Sequence, residues 1–386
     1  MRLAWFRAAP PTDAAALDAT APLLAALRTR HELHVYTPAT AHDFVWTHFR
    51  VPYAPCVFEL DNTAAHAFIW PYLLHYGGVL LLASPTLHDS RARALVRAGR
   101  HDDYAAEFLF NEGRPPRRTQ AASEPEGEWP MLRVPLTAAR VTAMPYRGLA
   151  DLLRERYPWA RVVHAPLPAP PADGTPARRP DAGGTVVFGL LADDRVDVAG
   201  RARARAEALG AAATIATSGS PQGVLRDADV VMTLARGAGG QPLQLARAAL
   251  AAGAPVIALE TVLTADWPAL DPQTWRPRGG SPERPIAVTV DLRDEEHSLA
   301  LAMRRLAADA ALRTELVEAA RAWCRIHASV PAAVDVWERL LHEAAQLDPV
   351  ARPEGWPAHL SADGSERARA MLAEFGVTVD LFSDRT

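Results

Sequence analysis

The sequence predicts an α/β protein of two doubly wound domains, and three observations carry that prediction. Short apolar runs suited to buried parallel strands alternate with amphipathic helical stretches along most of the 386 residues. A proline- and glycine-rich break, APLPAPPADGTPARRPDAGG at Ala165–Gly184, has almost nothing to bury and separates two such series. The length also exceeds the size at which one core usually keeps growing. The expected organisation is an N-terminal domain over 1–164, a linker over 165–184, a C-terminal domain over 185–347 and a tail over 348–386.

In the first domain Leu3–Phe6 reads as a strand, Ala14–Arg28 as an apolar-periodic helix and His34–Tyr36 as a strand, which together make a β-α-β unit. Ala64–His75 reads as a helix, and the continuous run Gly78–Ala83 as a central parallel strand. Asn111–Trp129 is polar and proline-rich and is expected to be a loop. A strand near Arg140–Ala143, a helix over Gly148–Tyr157 and a strand over Arg161–His164 complete this half. Beyond the break, TVVFGLL, a helix over Ala199–Leu209, ATIAT and DADVVMTLA restart the alternation. The module GAGGQPLQLARAALAAGAPVIALE (Gly237–Glu260) follows as a glycine loop, an alanine-leucine helix ended by Gly253, and a strand over Val256–Leu259. Helices over Leu299–Ala308, Ala311–His327 and Ala332–Leu347 come next, then an amphipathic one near Ser365–Phe375 and the segment VTVDLF. The charge run Arg293–Ser298 is a helix start, with acids in the first turn.

Composition narrows the function. A net charge of −4 argues against binding nucleic acid through a general positive field. All 41 basic residues are arginine, so a lysine Schiff base and a lysine-containing P-loop are excluded. Cys56 and Cys324 lie far apart and form no metal-ligand motif, which fits buried thiols in a reducing compartment. MRLAWFRAAPP has too short an apolar run for a signal peptide, and no stretch is long enough to span a bilayer. A cytoplasmic protein with no integral membrane segment, no metal and no resident cofactor is expected.

Several residues then stand out. Gly237, Gly239 and Gly240 let backbone N–H groups approach a ligand closely, and the helix N-terminus behind them favours an anion such as a phosphate; as a plain turn they need only tolerate unusual backbone angles. Arg236 beside them is placed to neutralise that phosphate. Glu260 follows Val256–Leu259 at the carboxyl end, the edge where open α/β sheets bind ligands. Asn62 and His66 sit at a strand end and in the helix after it, and His88-Asp89 follows the Gly78–Ala83 strand as an acid/base pair or a solvated loop.

The chain resembles the retaining glycosyltransferases of family four, which have the GT-B fold of two Rossmann-like domains. The resemblance runs in order through MRLAWFRAAPP, ELDNTAAHAFIWPYLLHYGGVLLL, LRERYPWARVVHAPLP, DADVVMTLARGAGGQPLQLARAALAAGAPVI and DLRDEEHSLALAMRRLAADAALR. It implies a nucleotide-sugar donor, UDP- or GDP-linked, in a cleft between the domains, held mainly by the C-terminal one, with the acceptor against the N-terminal one and the tail crossing back towards it. It implies a hexosyl-type transfer without a metal, in which arginine and N–H dipoles stabilise the leaving phosphate. On that pattern Arg195, Arg236 and Glu260 are the catalytic candidates; Gly237, Gly239, Gly240 and Gln241 hold the donor; and Asn62, His66, His88 and Asp89 face the acceptor.

The chain departs from the family at four places. Ala15 stands where the first loop has glycine, Ala83-Ser84 where a His-Asp pair is expected, and Asp193-Asp194 where a basic residue would face the diphosphate; Gln241 and Ala248 replace the two glutamates framing the glycine loop. Gln241 retains hydrogen-bonding capacity and Ala248 does not. The alternative reading is a catalytically silent homologue that binds or scaffolds a partner such as an active glycosyltransferase subunit.

Overall fold

The computed structural model describes residues 1–9, 17–116, 129–170, 184–191, 196–234, 241–280, 282–362 and 366–375. The N-terminal half contributes β1 (Arg2–Phe6), α1 (Thr20–Arg28), β2 (Glu32–Tyr36), α2 (His42–Arg50), β3 (Cys56–Leu60), α3 (Ile69–Tyr76), β4 (Val79–Leu82), α4 (His88–Arg97), α5 (His101–Glu112), α6 (Arg133–Ala138), β5 (Val141–Met144), α7 (Arg147–Arg156) and β6 (Val162–His164). The C-terminal half contributes β7 (Val186–Leu191), α8 (Val196–Ala208), β8 (Ala213–Ser218), α9 (Pro221–Asp227), β9 (Val230–Thr233), α10 (Gln241–Ala252), β10 (Val256–Leu259), β11 (Ala269–Leu270), β12 (Ala287–Val290), α11 (Glu295–Ala308), α12 (Ala310–His327), α13 (Val330–Gln346) and α14 (Glu366–Glu374).

The strands form two six-stranded sheets, ordered β2-β1-β3-β4-β5-β6 and β11-β12-β10-β9-β7-β8, and every pairing within them is parallel. Parallel strands need crossover helices on their faces, so the central strands are covered on both faces and are largely apolar, while the edge strands β2 and β8 are partly exposed. β4 and β9 are buried at every position. Each half is Rossmann-like, and the pair has the GT-B architecture. The strand order reverses between β1 and β3 in one sheet and between β7 and β9 in the other. These are the switch points beyond whose carboxyl ends a ligand crevice opens.

Side chains alternate across the first sheet. Leu3, Trp5, Val57 and Leu81 face a layer made by α1 and α13, in which Trp337 lies 5.1 Å from Trp5, ring centre to ring centre. Phe6, Phe58, Leu60 and Leu82 face the opposite layer, which includes Phe44, Trp70 and Leu149. The helix α13 thus follows the C-terminal series in sequence but packs on the N-terminal sheet. The chain behind it stays there: Trp356 packs edge-on to Phe110, and Leu360 is buried. In the second sheet Phe188, Met232, Ile257 and Val288 pack with α8 and α11, while Val231, Val256 and Ala258 pack under α9 and α10. The apolar core continues between the halves through Leu263 and Trp267, which join the cluster containing Tyr146 and Leu149.

Two glycines are required by close approach. Gly78 has φ +133°, and a Cβ there would lie 2.4 Å from the Cys56 carbonyl oxygen. Gly148, near the start of α7, faces the segment after β10, where a Cβ would lie 2.5 Å from the Val262 carbonyl oxygen and 3.2 Å from the Ala265 Cβ.

Some elements differ from expectation. Ala64–His75 divides into a single 3-10 turn over Ala64–His66 and then α3. Pro71 explains the break: it fits the first turn of a helix beginning at Ile69, but inside a longer helix it would lack the N–H and clash with the carbonyl four residues back. Asn111 and Glu112 close α5 instead of opening a loop. The Asn111 side chain donates to the Glu107 carbonyl at 2.7 Å and accepts the Val134 N–H at 3.0 Å, so both its polar ends are satisfied in the helical position. His88 and Asp89 likewise begin a helix. The start of the expected Ala14–Arg28 helix, most of Asn111–Trp129 and the segment VTVDLF lie outside the described residues.

Candidate functional site

The carboxyl edge of the N-terminal sheet carries a polar cluster at its switch point. Arg7, following β1, pairs with Asp18 at 2.9 Å and lies 3.6 Å from Glu59 of β3. Asp18 in turn accepts the N–H groups of Thr20 and Ala21 and so fixes the first turn of α1. Glu59 accepts from the Trp5 indole at 3.3 Å and the Thr20 hydroxyl at 3.3 Å. Burial pushes the Glu59 carboxyl above the usual range, and the Arg7 guanidinium opposes that shift. These residues form the floor of the edge.

The expected acceptor-side residues lie one strand further along. Asn62 follows β3, and its side-chain oxygen accepts the Ser90 N–H at 3.0 Å in the first turn of α4. The next anchor is the Thr86 hydroxyl, which accepts the His88 N–H at 3.3 Å. Together they hold the helix on which His88 and Asp89 sit. His88 is hydrogen-bonded through Nε2 to the Tyr104 hydroxyl at 2.9 Å, and Asp89 lies 3.6 Å from Arg93 one turn on. His66 is bonded through Nδ1 to the Thr63 hydroxyl at 2.8 Å. Burial lowers its pKa, Asp61 opposing and Arg7 reinforcing the shift. A neutral imidazole at this edge can exchange a proton with a substrate hydroxyl through its other nitrogen. Ser84 is fully buried, and its hydroxyl accepts the Thr86 N–H at 3.4 Å, so at the expected His-Asp position that side chain is turned into the fold.

Of the donor-side candidates, Arg195, Arg236, Gly237, Gly239 and Gly240, together with Ala15, Asp193 and Asp194, lie outside the described residues. Their neighbours are placed: β7 ends at Leu191, β9 at Thr233, and α10 begins at Gln241. Ala248 is fully buried. Glu260 follows β10 and is exposed; its N–H donates to the Val290 carbonyl at 2.9 Å, and its carboxylate pairs with Arg278. Arg278 also reaches Asp271 at 3.3 Å and the Thr289 carbonyl at 3.2 Å. Glu260 is therefore held on the carboxyl edge by an arginine that is itself fixed. Among the described residues no three His, Cys, Asp or Glu side chains converge as a metal site, and no helix is long and apolar enough to cross a membrane.

Between the halves, the Gln244 amide donates to the Tyr146 hydroxyl at 3.2 Å, and the buried Arg247 guanidinium donates to the Leu167 carbonyl. Burial pushes the Tyr146 hydroxyl up to about 12. Sequence reasoning missed this pair. The signal was present in QPLQLARAALAA, where Gln244 and Arg247 are polar residues three apart, on one face of an otherwise apolar helix.

The fold and this edge define a two-domain, doubly wound α/β protein with a polar cluster at the switch point of its N-terminal sheet. No family model matches the chain, and none of the curated proteins matches it. Among solved structures, several are similar to it over most of their length. The glycosyltransferase of kitacinnamycin is 13% identical with a TM-score of 0.47, covering 88% of this chain and 99% of its own. WaaG, a glycosyltransferase involved in lipopolysaccharide biosynthesis, is 13% identical with a TM-score of 0.47, covering 89% and 100%. UGT2 of Phytolacca americana, complexed with UDP-2-fluoro-glucose and pterostilbene, is 9% identical with a TM-score of 0.48, covering 90% and 100%. At these values the likeness carries nothing about chemistry, and the fold assignment rests on the two sheets themselves.

Proposed function

We propose that the protein transfers a hexosyl-type sugar from a UDP- or GDP-linked donor to an acceptor in the cytoplasm, with retention and without a metal. The observation that carries this reading is the position of the glycine-rich segment: it connects the carboxyl end of β9 to the first residue of the twelve-residue helix α10, at the switch point of a parallel sheet. In this reading the N–H groups of Gly237, Gly239 and Gly240 receive the diphosphate and Gln241 bonds the sugar. Arg195 and Arg236 neutralise the charge that develops as the bond between the anomeric carbon and the phosphate oxygen breaks. Glu260 orients a sugar hydroxyl. The acceptor hydroxyl attacks from the N-terminal side, past Asn62, His66, His88 and Asp89, and its proton leaves on the departing diphosphate. Residues 1–164 then serve the acceptor, and residues 185–347 the donor.

A specific observation favours a second reading, a silent homologue that scaffolds another glycosyltransferase subunit: Ser84 and Ala248 are buried and present no polar group at two places where the family pattern has one. Thermal shift against UDP, GDP and their glucose conjugates tests the first reading, since a ligand that binds only the native state raises its stability. Stabilisation by a diphosphate, abolished by Gly239→Val, is the expected result. No shift at millimolar ligand, together with tight capture of an active glycosyltransferase, establishes the second reading instead.

A further inference from the structure

A cavity of about 560 Å³ lies where the two halves meet, lined by Tyr146, Arg147 and His164 from one and by Arg247, Asp266, Trp267 and Trp323 from the other. Its volume is that of a small-molecule site. Its apolar walls are the rings of Trp267 and Trp323. Its charged wall is unusual. Arg247 is 8% exposed, and its guanidinium meets only neutral acceptors, the Leu167 carbonyl and, at 3.4 Å, the Gln244 side-chain oxygen. Among the described residues no carboxylate comes within ion-pair distance of it. Guanidinium does not lose its proton in proteins, so a full positive charge is held in low dielectric with no directly paired carboxylate among the described residues, only Asp266 beyond ion-pair distance.

Arg147, exposed at the start of α7, adds a second positive charge to the same wall. Asp266 shares that wall; burial raises its carboxyl, with Arg147 and Arg247 pulling it back. Glu283, also lining the cavity, lies 3.7 Å from His327. Burial, with Arg147 reinforcing it, lowers His164 to about 4, so its ring is neutral near pH 7. The lining therefore sets two arginines against two carboxylates, of which Glu283 is exposed and only Asp266 is half-buried near Arg247.

We infer that this junction cavity binds a small organic anion, a carboxylate or phosphate on a flat apolar body, its charged end between Arg147 and Arg247 and its body against Trp267 and Trp323. The anion supplies a directly hydrogen-bonded counter-charge to Arg247, closer than Asp266, and the ring faces bury apolar surface. The site stands whether or not the protein transfers sugar.

The test uses the full chain with three probes: 2-naphthoate, its neutral analogue 2-naphthamide, and inorganic phosphate. Binding is followed by calorimetry and by quenching of tryptophan fluorescence. Naphthoate binds and quenches, while naphthamide binds about tenfold or more weaker, the loss typical of a hydrogen bond to a charged group. Arg247→Met and Arg147→Ala each weaken naphthoate by a similar factor and leave naphthamide unchanged. Arg147 is exposed, so its replacement keeps the question open to test even where Arg247→Met impairs folding. Equal affinity for naphthoate and naphthamide, no binding of naphthoate at millimolar concentration, inorganic phosphate binding as tightly as naphthoate, or unchanged affinity in Arg147→Ala each overturns the inference.

Discussion

Replacing Glu107 by glutamine tests whether the segment after α13 is fastened to the N-terminal half by a buried charge. Glu107 of α5 is wholly inaccessible to solvent. It receives Arg91 of α4 through two hydrogen bonds, one of 2.7 Å from Nε, and is bonded to Nε2 of His359 at 2.8 Å. His359 is also 3.2 Å from Asp103, and Arg91 lies 4.5 Å over the Trp70 ring. Glutamine preserves volume and an acceptor oxygen but removes the charge, leaving the buried guanidinium of Arg91 uncompensated. Removing one partner of a buried pair costs about 3–5 kcal/mol, and the surviving hydrogen bond sets the expectation at about 3 kcal/mol. Urea unfolding at pH 7, followed by tryptophan fluorescence, measures it. Adding Arg91→Met to Glu107→Gln should restore most of the loss, because the stranded charge goes with it.

Burial raises the Glu107 carboxyl, but the hydrogen bonds from His359 and Arg91 outweigh that and hold it below the ordinary range. Its contribution is therefore full above the unfolded value of about 4.3 and is lost as pH falls through the folded one. The gap between wild type and Glu107→Gln should close in acid. A loss below about 1 kcal/mol at pH 7, or simple additivity of the two substitutions, refutes the reasoning.

Three further outcomes are expected. Gly148→Val drives a side chain into the Val262 carbonyl and should cost about 1–3 kcal/mol or separate the halves, read by unfolding and by an increased radius of gyration in small-angle scattering. Burial pushes the Cys56 thiol up to about 12 and the Cys324 thiol up to about 11, so neither should react with Ellman's reagent at pH 8 until the protein is unfolded. His164, lowered to about 4, takes up a proton in the unfolded chain near 6.5 before it does so in the folded one, so it makes stability fall as pH drops from 6.5 towards 4; His164→Gln should flatten that part of the profile.

The apolar runs made the sheets legible: GVLLLA and VIAL are short, continuous apolar segments bounded by glycine or proline, the form of a strand covered on both faces. What escaped were elements with mixed faces. HDFVWTHFR forms α2 while burying fully only Phe44, and Trp46 and Phe49 remain exposed, so its periodicity is masked by aromatic residues on the solvent side. AVTV of β12 does not announce itself because Thr289 interrupts its apolar run. Near the candidate site, Asn62 and His66 were legible as residues that follow β3 at its carboxyl end. That Asn62 secures the start of α4 was not, since its partner Ser90 lies 28 residues away and only the sheet brings them together. Arg247 was passed over because a single arginine in an alanine-rich helix is ordinarily a solvated one, and its burial depends on the chain near Leu167 folding across it.

The chain passes between the halves twice, once after β6 and once between α12 and α13, and the two passages are joined by a hydrogen bond from the Ala169 N–H to the Ala328 carbonyl at 2.8 Å. A body suspended from one tether swivels freely, whereas one hung from two tethers pinned side by side swings like a door. Relative movement of the two halves is thereby steered about one axis, set at the pinned pair, in preference to a free twist.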